Sequence, residues 1–192
     1  MRIPAFVIAA TLPASAMAQV VLPAGHHVIA EARMKTASPE RSFRIVAMGR
    51  DGESRETLNG TEAQLRPLLI IEEKPGSSRI VGRNDHVVMR ADEAAQCDPF
   101  DADDGSGIAV KDRYFTIENG VSCGQHWTIN ITFRLDDRLG FVFSTTRTET
   151  WEMNPDTRPD APALIRDTPL RVVRANPRKP VRFADWRPDP EN

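Results

Sequence analysis

The densest gathering of potential ligands in the chain is the run Asp98-Pro99-Phe100-Asp101-Ala102-Asp103-Asp104-Gly105-Ser106-Gly107. Carboxylates collected in a short loop among small residues supply the hard oxygen donors that calcium takes. Asp101 and Asp103 match the first two ligands of a DxDxDG loop, but Gly105 stands at the third ligand position and no bidentate Glu follows at the required distance. The expectation is therefore a solvated acidic loop between strands. A calcium site formed by Asp98, Asp101, Asp103 and Asp104 is its alternative, and calcium is the one cofactor these residues suggest.

The histidines offer less. His26 and His27 lie near the start of the expected mature chain, His86 beside a strand start, and His126 on the polar face of a strand next to Trp127, with no zinc spacing among them. No HExxH, GxSxG, P-loop or GxGxxG pattern occurs, and Gly105-Ser106-Gly107 does not have the spacing of a nucleophile elbow. A hydrolase would have to assemble its site from distant groups such as His126, Asp98 and Glu118. Trp127, Trp151 and Trp186 could stack on a sugar ring or fill a core. Core packing is expected for Trp127 and Trp151, which share parity with Phe and Ile neighbours, and a ligand-binding pair His126 and Trp127 is the alternative.

Two cysteines, Cys97 and Cys123, form an even pair, and in an exported protein such a pair reads as a disulfide. Closing a loop of about 25 residues would constrain the unfolded chain by about 3 kcal/mol in the entropy treatment. The acidic surroundings Gln96-Cys97-Asp98 argue against a reactive thiolate.

These groups have to be positioned by strands. Between residues 125 and 135, Trp127, Ile129, Ile131, Phe133 and Leu135 alternate with His126, Thr128, Asn130, Thr132 and Arg134, the period of a half-buried strand. Asp136-Asp137-Arg138-Leu139-Gly140 supplies a turn, after which Phe141, Phe143, Trp151 and Met153 share one parity, so a long hairpin is expected. Residues 107–110 and 114–117 read as a tight hairpin around Lys111-Asp112-Arg113, and 68–71, 79–81 and 86–89 as three short strands. Phe43 to Met48 reads as a strand, while 27–34 suits either a helix or a strand. Eight of the fifteen prolines fall in the last 38 residues, so regular ladders are expected to stop after Asn154-Pro155. Leu170, Val172, Val173, Val181, Phe183 and Trp186 punctuate this tail and point to an ordered arm laid over the strands, whose arginines solubilise it. The fold class is thus mainly β, an antiparallel meander or sandwich-like single domain over 19–155 with a proline-rich C-terminal arm over 156–192.

Residues 1–18 read as a secretory signal peptide. Met1-Arg2 forms a short positive region, residues 3–12 are apolar but too short to span a bilayer, and Ala16-Met17-Ala18 offers a cleavage site before Gln19. Loss of Arg2 would move the formal charge from −2 to −3, which supplies no basic field for nucleic acid.

The segments Arg66-Pro67-Leu68-Leu69-Ile70, Val81-Gly82-Arg83-Asn84-Asp85, Cys97-Asp98-Pro99-Phe100, Gly107-Ile108-Ala109-Val110-Lys111, Tyr114-Phe115-Thr116 and Cys123-Gly124-Gln125-His126-Trp127-Thr128 resemble a family of uncharacterised secreted proteobacterial proteins. Members of that family often carry a calcium-type loop similar to those of FG-GAP or VCBS β repeats, and the matching stretch here, Met34 to Arg44, lacks its ligands. The resemblance implies export and β architecture and brings no activity with it. Together these readings describe a periplasmic or secreted, monomeric binding or accessory protein whose partner is an unidentified envelope component, with no transmembrane segment and no recognisable catalytic centre. A calcium-assisted carbohydrate-binding or adhesion module and a hydrolase with a carboxylate and histidine site are the alternatives.

Overall fold

The alternation and turn chemistry of the sequence resolve into two antiparallel sheets. The computed structural model describes residues 20–53, 65–94, 97–100, 107–121 and 126–188. Sheet 1 holds β1 (His26–Ala37), β2 (Glu40–Arg50), β3 (Arg66–Lys74) and β4 (Ser77–Val88) in sequence order. Ser38-Pro39 links β1 to β2, and Pro75-Gly76 links β3 to β4, with Gly76 at φ +74° where a side chain would be strained. The one-turn helix α1 (Ala91–Ala94) follows β4. Sheet 2 holds β5 (Ile108–Lys111), β6 (Tyr114–Val121), β7 (His126–Asp136) and β8 (Gly140–Met153), and continues on the far side of β8 with β9 (Leu164–Arg166) and β10 (Arg171–Arg174).

One apolar layer lies between the sheets. Ala30 and Met34 of β1, Phe43, Ile45 and Ala47 of β2, and Leu68 and Ile70 of β3 meet Phe115, Ile117, Ile131, Phe133, Leu135 and Phe141 of sheet 2. Phe43 meets Phe141 edge to face at 5.1 Å, and Phe115 stacks on Phe133 at 5.3 Å. The molecule is therefore a mainly β, sandwich-like single domain. Central strands β2 and β3 are buried on both faces. Val46, Met48, Leu69 and Ile71 form a second apolar cluster on the outer side of sheet 1, against which Val20 and Leu22 pack.

Several expectations are corrected by the register. The ambiguous segment 27–34 is strand. Residues 79–81 and 86–89, read as two short strands, lie in or just beyond a single β4, kept continuous through irregularities opposite Arg66/Leu68 and Ile70/Ile71. Ladders do not stop at Asn154: β9 pairs Arg166 with Trp151, and β10 pairs Arg171–Arg174 with Thr148–Thr145. Pro162, Pro169, Pro177 and Pro180 all fall between or beyond these short strands, so none deprives a ladder of its N–H. The shared parity of Phe143, Trp151 and Met153 also fails. Thr132 pairs with Thr145 and Phe133 with Phe143, which leaves Ser144 as an extra residue in β8. That bulge moves every later residue of β8 to the opposite face. Thr146 is consequently buried, Met153 is 61% exposed, and the Trp151 ring lies under the Arg166 guanidinium at 5.0 Å rather than in the core.

The two sides of the sandwich are closed differently. On one side β1 lies against β5. On the other, the arm runs along β8, bridging Val142 with Arg182, and then turns inward through a 3-10 turn at Phe183–Asp185 that contacts β4. Phe183 packs edge to face on Phe133 at 5.1 Å and on Phe115 at 6.0 Å, and Trp186 lies 5.9 Å from Phe133. Gly82 makes room for this wedge, since a Cβ there would stand 2.9 Å from Phe183 Cδ1. Asn84 fixes it, donating through Nδ2 to the carbonyls of Phe183 (2.6 Å) and Trp186 (2.9 Å).

Phe183→Ala is expected to destabilise the protein by about 3–5 kcal/mol, the cost of truncating a fully packed aromatic. Val181→Ala, two residues away on the exposed edge, is expected to change stability by less than about 0.5 kcal/mol. Urea unfolding of the two variants checks the difference.

Candidate functional site

The described residues among those singled out by sequence fall in separate parts of the fold. Asp98 is buried and already engaged: its Oδ2 lies 2.6 Å from Arg66 Nη1, and its Oδ1 accepts from the Phe100 amide at 2.9 Å. Arg66, at 1% exposure, stands between two carboxylates, since its Nε also donates to Glu53 Oε1 at 3.1 Å. Burial raises the Glu53 carboxyl, but hydrogen bonds from Arg66 and the Arg50 amide, with the charges of Arg66 and His27, outweigh it and hold the group below its ordinary value. Asp101, Asp103, Asp104 and Cys123 lie outside the described residues. Among the described residues, no three His, Cys, Asp or Glu side chains come together as a metal-binding group.

The proposed pair His126 and Trp127 is divided by strand geometry. Neighbours on a strand point to opposite faces. His126 pairs with Trp151 on the outer face of sheet 2, whereas Trp127 pairs with Thr150 and turns inward. Glu118, the other group considered for hydrolysis, is exposed and pairs with Asn130. Asn130 is four residues from His126 along β7, roughly 13 Å at the rise of a strand. Asp98 is engaged by Arg66.

What the fold does form is a cleft of ≈ 720 Å³ at the end of the sandwich where β4 runs out. Trp127, Ile129 and Ile131 of β7 line one wall, Val87, Val88 and Met89 the other, and Trp186 of the arm joins them. The two sheets are stitched together at its base by Asn119. Its Oδ1 accepts from the Met89 amide at 2.9 Å, and its Nδ2 donates to the Val87 carbonyl at 2.8 Å, so one side chain satisfies backbone groups that β4 would otherwise leave unpaired. Thr146 and Asn119 are the polar residues among these apolar walls, and His86, Arg90 and Glu93 also line the cleft. A concave, mainly apolar space of this size with a few polar groups is the general form of a small-molecule site.

A second, smaller cavity of ≈ 270 Å³ opens between the sheets at the opposite end, beside the β3–β4 and β7–β8 turns. Glu72, its side chain only 4% exposed, is clasped there by Arg41 and Arg79. Burial raises the Glu72 carboxyl, and hydrogen bonds from Arg79 and Arg41 together with their charges more than offset this and hold it low.

Sequence reasoning expected Trp127 in the core, against which it packs, with ligand binding as the alternative, and it missed Asn119, Met89, Arg66 and the Arg41-Glu72-Arg79 group. Asn119 carries no local signal, because its value lies in the carbonyl and amide of a strand from the other sheet. Alternation of Arg41 with Phe43, Ile45 and Ala47 did place an arginine on the core face, which was the available hint. Comparison of the chain with protein families, with curated proteins and with solved structures finds no match.

Arg66→Met is expected to cost about 3–5 kcal/mol, because Asp98 would be left buried without its cation. Urea unfolding measures this, and adding Asp98→Asn and Glu53→Gln to the variant should restore much of the loss. Glu53 and Glu72 titrate lower in the folded than in the unfolded chain. Their contribution is fully present above the unfolded value of about 4.3 and is lost as pH falls through the folded values. Unfolding free energies between pH 7 and pH 3 should therefore decline on the acid side, and Glu72→Gln should flatten part of that decline.

Proposed function

We propose that this chain is an exported binding protein whose ligand seat is the cleft around Trp127, and that it takes an apolar or aromatic molecule with a polar end. The observation that carries this reading is the ≈ 720 Å³ of space between the sheets, walled by Trp127, Trp186, Met89 and Ile129 with charge at the margin from Arg90 and Glu93. Sequestering an apolar molecule requires apolar walls with a few polar groups beside them, and the cleft's lining has this composition. Its described lining is dominated by apolar side chains such as Trp127, Trp186, Met89 and Ile131, which favours binding over catalysis.

Export is supported by the signal-peptide pattern of residues 1–18 and by the resemblance to secreted proteins. Pairing of Cys97 with Cys123 belongs to the same reading: Cys97 is half-buried beside Asp98, and none of the described cysteines is a free thiol. Among the described residues no helix is long and apolar enough to cross a membrane. The partner is then an apolar component of the envelope, bound by the monomer.

Titration of the protein with the neutral fluorophore N-phenyl-1-naphthylamine tests the seat. Saturable enhancement is expected, weakened about tenfold, or 1.4 kcal/mol, by Trp127→Ala and by Ile129→Trp, which respectively removes a wall and fills the space. Equal binding by all three proteins, or none by the parent, would rule the cleft out as the seat.

A further inference from the structure

We propose that the cavity at the other end of the sandwich is a binding site for a small organic anion, one with a carboxylate or phosphate head on an apolar body. Three guanidinium groups line it, Arg41 from β2, Arg79 from β4 and Arg182 from the arm, and no acidic side chain among the described residues lines it. Beneath the arginines the cavity is apolar, formed by Phe43, Ile70 and Phe141.

Two of the cations are held in place. Glu72 Oε1 accepts from Arg41 Nε (2.9 Å) and Nη2 (2.7 Å), while Oε2 accepts from Arg79 Nε (3.0 Å) and Nη2 (2.7 Å). Arg41 is further fixed by standing 4.8 Å over the Phe43 ring. Each guanidinium spends one edge on Glu72 and keeps donors on Nη1 for something else. Orientation by a buried carboxylate is what a preorganised anion site needs, because the cost of ordering the side chains falls at folding and not at binding.

The charges do not balance. One carboxylate faces two arginines, and Arg182 adds a third cation, so the cavity carries an excess of two positive charges. The acidic groups of the adjoining β7–β8 turn do not neutralise it. Asp136 pairs with Arg134 at 3.4 Å, and Asp137 pairs with Arg113. A guanidinium fork recognises a carboxylate and a phosphate by the same geometry, so the shared chemistry is an oxyanion. The volume of ≈ 270 Å³ lies just under the usual range of small-molecule sites, which fits a small acid or the head of a larger one. This site is independent of the Trp127 cleft, from which the arm wedge separates it.

The experiment compares benzoate, phenyl phosphate, inorganic phosphate and benzyl alcohol by calorimetry and by amide NMR shifts of Gly82, Gly140 and Phe141. Expected is binding of benzoate or phenyl phosphate that shifts these amides, weakens with added salt, and exceeds that of benzyl alcohol at least tenfold. Whichever aryl anion binds more tightly identifies the head. Arg182→Gln, whose side chain is exposed and therefore leaves folding intact, should weaken it about tenfold, and Arg79→Gln should act in the same direction. Equal binding of benzyl alcohol, binding of inorganic phosphate as tight as that of the aryl anions, no effect of Arg182→Gln, or no binding at all would each overturn the proposal. Trp127→Ala should leave benzoate binding unchanged, which keeps this outcome separate from that of the other cleft.

Discussion

Two sheets that share a single apolar layer need that layer sealed along both flanks, and in this molecule one flank is sealed by a wedge. Phe183 and Trp186 enter between β4 and β8 from a segment that belongs to neither, and they complete the aromatic cluster of Phe115, Phe133 and Phe143. The geometry around them is built for this purpose: a glycine where any side chain would collide, and an asparagine whose amide takes up the two carbonyls the turn exposes. The wedge also divides the interior. Trp186 faces the larger cleft, and Phe183 faces the smaller cavity, so both spaces owe a wall to the same few residues.

Among the described residues, buried charge sits at the ends of the sandwich. At one end Arg66 is buried between Glu53 and Asp98, drawing the start of β3 and the segments at 53 and 98 together. At the other, Glu72 draws β2 and β4 across β3 through two arginines. Buried ion groups of this kind are poor sources of net stability, since desolvation offsets most of the attraction. Their effect is on specificity: a strand slipped by one residue would strand a charge in the apolar layer, so the paired charges fix register where alternation alone would tolerate error.

Local pattern carried most of the fold. The hairpins of β5–β6 and β7–β8 were readable because alternation and turn residues agree, and Asp136 sits where its carboxylate can accept from two amides of the turn. Three things were not readable. The bulge at Ser144 has no signature in a serine, and it reverses the facing of Trp151 and Met153. The short strands of the arm draw their stability from the edge of β8, and the prolines around them mask that dependence. Of the site, Trp127 was visible as an aromatic on an alternating strand, while its companions Met89, Asn119 and Trp186 come from segments far apart in sequence that only tertiary contact unites.

The place of the wedge in the chain has a consequence for what a shortened chain would be. Residues 183–186 follow all ten described strands, so a chain cut before them keeps every described strand and loses only the seal. Such a chain would pair its backbones yet leave Phe115, Phe133 and Phe143 without their cover between β4 and β8, an apolar seam open to water and to other chains.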